Sequence, residues 1–213
     1  MNAPSLIAVM ATLLAHPVSA GPWEVSVFTG VQNSGSSSVS GEGPGGVGAF
    51  YFSTDWDMGS LDGMDYLGVR AIYWVDARNG LALTLTRSTA VATATPAAGV
   101  SDVSFDGTLT LTADALHRWN ANGRLKPYIG LGLGIAMPDA RVTFATGEIE
   151  RPDATGFAAA ATAGASYKLD ARTSAFAELH LSHARYDIDL SSGGSLKTDM
   201  TSTAINVGLS YRF

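Results

Sequence analysis

The last sixteen residues, Thr198–Phe213 (TDMTSTAINVGLSYRF), constrain the fold of this chain more than any other stretch. Counting back by twos from the end gives Phe213, Tyr211, Leu209, Val207, Ile205 and Thr203. The alternate set is Arg212, Ser210, Gly208, Asn206, Ala204 and Ser202. One face is apolar and aromatic-tipped and the other is small and polar, which is the period of a β-strand. A strand of about ten such residues closing on an aromatic suits a transmembrane β-barrel, where apolar side chains meet lipid and polar ones the lumen. The remaining strands must then repeat the pattern.

The chain has 213 residues, 46% of them hydrophobic and only 15% charged, with 24 glycines and no cysteine. Leu6–Leu14 is a short apolar run followed by Val18-Ser19-Ala20, so residues 1–20 read as a signal peptide cleaved after Ala20. An exported chain without cysteine draws no stability from disulfides. After Ala20 no run of about 18 apolar residues occurs, so no transmembrane helix is available. Strands closed into a barrel are the other structure that satisfies every backbone group in lipid.

Read in order, the chain offers strands at Trp23–Val31, Tyr66–Val75, Leu81–Val91, Phe105–His117, Tyr128–Met137, Gly156–Lys168, Ser174–Tyr186 and Thr198–Phe213. The expected fold is all-β, an eight-stranded antiparallel up-and-down transmembrane β-barrel over 21–213, with odd-numbered residues facing lipid throughout. Tyr128–Met137 (YIGLGLGIAM) is the clearest strand, aliphatic outward and glycine inward, as a narrow barrel filled from its other strands requires. Short turns, one carrying the hairpin signal Asn79-Gly80, alternate with long loops at 32–65, 92–102 and 138–155. Ala49–Trp56, inside the first loop, is aromatic enough to extend a strand or fold back on the barrel. Trp23, Tyr73, Trp119, Tyr167, Tyr211 and Phe213 form an aromatic girdle on the short-turn side, with Phe105, Phe144, Phe157 and Tyr186 as its counterpart. The long connections are acidic and the short turns basic. An acidic rim suits a divalent cation at the outer loops, with Asp55-x-Asp57 and Asp187-x-Asp189 as candidate ligands.

Glu178, His180 and Ser182 share one face at i, i+2 and i+4, which suits a base beside a nucleophile. The competing reading is a lumen network in which Glu24, Arg70, Asp114 and Arg212 share the inward parity and can pair with Glu178, because charges in a packed lumen must be paired. His183 has lipid-facing parity near the outer rim. No phosphate-binding glycine loop, zinc pattern or basic nucleic-acid patch occurs, and no cofactor is evident. The alternatives are a structural or surface-interaction barrel, an enzyme acting on lipid A, and a narrow pore.

Four stretches carry a resemblance across the whole mature chain: the glycine-alternating 128–136, Arg70 in LGVRAIYW, Glu178 in FAELHLSH and the terminal VGLSYRF. On these the chain resembles the small eight-stranded OmpA-like outer-membrane barrels. This implies an integral outer-membrane protein in contact with lipids and lipopolysaccharide, handed to the barrel-assembly machinery through Tyr211-Arg212-Phe213. Residues 23–41, 66–74 and 198–213 look like a subset labelled lipid A oxidase, which implies oxidation of the proximal glucosamine of lipid A. His180-Leu181-Ser182 is similar to the His-x-Ser pair of lipid A deacylase barrels, but here both residues have lumen parity.

Overall fold

The computed structural model describes residues 22–43, 48–58, 66–93, 99–144, 149–150, 155–190 and 193–213. The expected signal peptide lies outside them, as do Asp62, Asp65, Glu148, Arg151 and Asp153 of the acidic loops. Twelve strand segments are present: β1 Trp23–Ser34, β2 Ser37–Gly43, β3 Gly48–Thr54, β4 Trp56–Asp57, β5 Leu67–Trp74, β6 Asn79–Ala92, β7 Val100–Arg118, β8 Leu125–Phe144, β9 Ile149–Glu150, β10 Gly156–Lys168, β11 Thr173–Asp189 and β12 Ser195–Arg212. Eight of them close an antiparallel ring in the order β1-β5-β6-β7-β8-β10-β11-β12, and β1 pairs back onto β12 from Glu24↔Arg212 to Ser34↔Ser202. The fold is the expected eight-stranded barrel, with no open edge in the ring.

Alternation positions the side chains. Leu83, Leu131, Leu133, Ile205 and Val207 stand outward and exposed, Leu131 at 70%, and form the belt that lipid covers. At the short-turn end Trp23 and Tyr73 meet edge to face with centroids 5.1 Å apart, and Tyr211 and Phe213 at 5.2 Å. Inside, large side chains lie over glycines of the neighbouring strand. Phe28 covers its cross-strand partner Gly68, Phe176 covers Gly208, Trp74 covers Gly80 and Phe50 covers Gly41. Such aromatic–glycine pairing fills the lumen and fixes register.

The long connections differ from their expected form. Gln32–Asp65 is not an irregular surface loop throughout. β1 and β2 are nearly one strand along β12, since Ser34 pairs with Ser202 and Val39 with Thr198, five residues against four. The extra residue at Gly35–Ser36 is a β-bulge. It reverses parity, so Ser37 and Val39 point inward. β3 then returns along β2, and β4 reaches β6 at Trp56↔Ala92. Ala49–Trp56 is thus an extension of the barrel wall.

β7 carries a second bulge, where Phe105↔Ala140 and Thr108↔Pro138 again set one extra residue against the partner. Pro138, where the expected strand gives way to a loop, sits opposite this bulge, and β8 continues to Phe144. The bulge turns Val103 and Phe105 inward. Phe105 thereby leaves the expected outer girdle, and Phe144 and Tyr186, at even positions of the unbulged β8 and β11, point inward as their parity requires; all three are buried, with Phe105 stacked on Tyr186 at 5.6 Å. They join Val39, Phe50, Phe52, Trp56 and Leu196 in an apolar plug across the outer end of the lumen. Only Phe157 of the expected counterpart girdle stands outward. The rule that odd residues face lipid fails beyond both bulges.

The turns also correct one detail. Asn79-Gly80 opens β6 instead of forming the turn. The turn is built on Asp76, whose Oδ1 accepts the amides of Arg78 (2.6 Å) and Asn79 (2.8 Å). Asp170-Ala171-Arg172 repeats it, with the amides of Arg172 (2.8 Å) and Thr173 (2.7 Å) donating to Asp170 Oδ1. The Asn79 side chain and these amides hold the Asp76 carboxyl below its ordinary 3.8, at about 2. The amides of Arg172 and Thr173 lower Asp170 as well. A depressed folded pKa stabilises fully above the unfolded value and ceases to do so as pH falls through the folded one. A carboxyl-carbon NMR titration of the micellar protein is therefore expected to place the Asp76 midpoint near 2. An ordinary midpoint would show that the turn stands without its side chain.

Candidate functional site

The lumen is layered. Nearest the short turns, the Arg118 guanidinium stacks 3.5 Å above the Trp74 ring, and its Nε donates to the carbonyl of Ala77 at 2.9 Å. Trp74 Nε1 donates to Glu24 at 2.9 Å, and Arg118 Nη1 lies 3.9 Å from the same carboxylate oxygen. Arg118 ends β7 and points inward, where it is buried. Above it Ser26 Oγ donates to Ser210 at 3.1 Å.

Mid-lumen holds the ionic centre. Arg70 of β5 donates through both terminal nitrogens to Glu178 of β11, each at 2.9 Å, across the barrel. Both residues are 3% exposed. Tyr128 Oη (2.6 Å) and Asn206 Nδ2 (3.1 Å) donate to the same carboxylate. Arg70 Nε donates to Thr84 at 3.1 Å, and the Thr84 hydroxyl donates on to Asp114. Bidentate geometry with both oxygens further hydrogen-bonded is what a desolvated pair needs. Gly132 faces Asp114 and Gly164 faces Glu178, leaving room for the two carboxylates.

His180 is 7% exposed and its Nδ1 meets Thr162 Oγ1 at 3.0 Å. With Ser182, Thr84, Thr86, Thr108, Thr112 and Ser202 it lines a hydroxyl-rich cavity of about 40 Å³ beneath the apolar plug. A second cavity, about 30 Å³, lies on the other side of Arg70. Each has room for only one or two waters.

Of the network expected from sequence, the fold brings together Arg70, Asp114 and Glu178. It does not bring Glu24 to Glu178, since Glu24 serves Trp74 and Arg118. Arg212 faces Glu24 across the β1–β12 pairing at the short-turn mouth, away from the ionic centre. In the Glu178–His180–Ser182 set, the Nδ1 contact of His180 goes to Thr162 and not to Ser182. Tyr128 and Thr84 were missed, although both have the inward parity of their strands. His183 points outward, with Nδ1 2.9 Å from Thr201 Oγ1. At the rim Asp187 pairs with Lys197 at 2.7 Å and Asp55 accepts the Ser36 hydroxyl. Among the described residues no three acidic, histidine or cysteine side chains converge in a way that could hold a metal ion.

Residues 6–213 match the family model described as outer membrane protein beta-barrel domain. Three solved structures are similar in fold. Neisserial surface protein A is 15% identical over 92% of this chain and 100% of its own, with a TM-score of 0.50. OprG from Pseudomonas aeruginosa is 13% identical over 91% and 97%, at 0.54. AlkL, determined in lipid bilayers, is 17% identical over 93% and 94%, also at 0.54. None of the curated proteins is a significant sequence match.

Proposed function

We propose, from the premise that this chain belongs to the outer membrane protein β-barrel family, that it acts through its surfaces and not its lumen. It is an integral outer-membrane protein. The role that fits its interior is structural or surface-interacting, with the lipid belt and rim against membrane lipid and lipopolysaccharide. The observation that carries this reading is the closed lumen. The Arg70–Glu178 pair bridges the barrel, and the apolar plug caps it. A pore needs a wet path past both, and a lumen enzyme needs a substrate to reach Glu178 or His180.

The outer features support surface contact. His183 and Arg185 stand outward where the aliphatic belt gives way to the acidic rim, a height suited to lipid phosphates. Tyr51, on the wall extension, is 67% exposed. Tyr211-Arg212-Phe213 closes the last strand with an exposed Tyr211 beside a half-buried Phe213, fitted to reading by the assembly machinery, and residues 1–20 serve as the export signal. Oxidation of lipid A, the reading implied by the lipid A oxidase resemblance, would instead use residues open to the outer leaflet.

Mass spectra of lipid A from cells with the gene, without it, and with His180→Ala decide between these. The surface reading expects three identical spectra. A mass change on deletion overturns it, and a change that survives His180→Ala places the chemistry outside the lumen.

A further inference from the structure

The short-turn mouth of the barrel contains a concave, cationic cup. Lys126 of β8, Lys168 of β10 and Arg212 of β12 line it with Arg172 of the turn, around Ser174 and a cavity of about 60 Å³. Two carboxylates share the cup, and both are already committed. Glu24 accepts from Trp74 and faces Arg118, and Asp170 Oδ1 accepts two amides of its own turn. None of the ion pairs among the described residues engages Lys126, Lys168, Arg172 or Arg212, and of these Arg172 donates through Nη1 to the Tyr211 hydroxyl at 3.1 Å, which leaves Arg212 as the arginine facing the cup. Lys126 has Arg118, Arg212 and Lys168 as cationic neighbours against Glu24 as its anionic one, so the cations together raise the cost of holding one another.

A convex fringe of such residues would be screened by solvent. Here Lys126 and Arg212 are half-buried within the mouth and Lys168 and Arg172 stand exposed at its edge, and an anion held among them relieves their mutual repulsion. The size of the cavity selects the anion: it has room for about two waters, which suits a compact oxyanion and not a polymer. Lysine ammoniums and an arginine fork are the donors that tetrahedral oxyanions favour, and Ser174 adds a hydroxyl.

We infer that this mouth is a binding site for a phosphate-class oxyanion, either free phosphate or the headgroup of a lipid from the adjoining leaflet. The inference stands on the mouth alone and holds whichever reading of the outer surface is correct.

The test uses the full mature chain in octyl glucoside, which carries no phosphate, with amide NMR shifts followed at constant ionic strength. Inorganic phosphate is added in one arm and short-chain phosphatidylglycerol in the other. Saturable shifts at Ser174 and Lys126 are expected in the millimolar range. Movement with phosphate alone identifies the free ion, and movement with the lipid alone identifies the headgroup. Lys168→Gln, at an exposed strand end, is expected to weaken binding about tenfold, the equivalent of one charge-assisted hydrogen bond. Lys168→Gln/Arg212→Gln should abolish it, and Lys197→Gln at the opposite rim should leave it unchanged. The inference is overturned if chloride reproduces the shifts, if neither ligand gives a saturable shift, or if Lys168→Gln binds as tightly as the parent.

Discussion

Arg70→Met is expected to lower the unfolding free energy of the micellar barrel by about 3–5 kcal/mol, because it leaves Glu178 charged and unpaired in a dry lumen. The carboxylate accepts four hydrogen bonds, two of them from the guanidinium. Tyr128 and Asn206 cannot replace a cation. Arg70→Met/Glu178→Met removes both charges together and is expected to recover more than half of the loss, since the desolvation of the pair disappears with it. Urea titration followed by heat-modifiable gel migration measures all three proteins. A single variant as stable as the parent would mean that water already reaches the pair, and the closed-lumen reading would fall with it.

The second large effect is steric. A methyl group at Gly134 would overlap the carbonyl oxygen of Leu111 and crowd Thr112 Cα. Both atoms belong to the β7 backbone, so no rotamer change relieves the clash. Gly134→Ala is expected at or beyond the upper end of overpacking costs, about 3 kcal/mol. Gly107→Ala is the control. There the nearest atom is the far end of Arg87 at 3.2 Å, and the bulge leaves space. Its effect should stay within about 1 kcal/mol in either direction. A loss at Gly134→Ala no greater than that at Gly107→Ala would show that the β7 backbone yields to the added methyl and that lumen space is not what requires glycine there.

The membrane-spanning wall was legible in the sequence because lipid on one side and a packed lumen on the other impose strict alternation. The pattern of 156–168 marks both ends of β10, and parity alone turns Arg70, Asp114 and Glu178 inward. The partners of those residues were less legible. Parity says that a side chain enters the lumen but not its height, and height depends on strand stagger. Parity therefore allows Glu24 and Arg212 to reach Glu178, whereas the pairing Glu24↔Arg212 sets both at the mouth. The outer third of the barrel was illegible for another reason. Glycine, serine and proline there mark bulges in continuing strands, and the same residues mark the ends of strands elsewhere. The plug residues Phe50, Phe52 and Phe105 were visible as aromatics, but their side of the wall was not.

Those bulges separate two reading frames within one continuous wall. Below Gly35 and Gly107 an odd position must tolerate lipid, while above them, on β2 and on β7 as far as Val103, an odd position must pack into a core. Each frame can therefore vary under its own rule. The outer segment can be recast, or exchanged for one of different length and shape, without rewriting the membrane segment beneath it. A single-residue deletion at either bulge would bring the two frames into phase. It would turn Val103 and Phe105, or Val39, out of the plug toward solvent while every membrane-facing side chain kept its place. A one-residue slip on the outer side of the membrane is thus expected to undo the cap and spare the barrel.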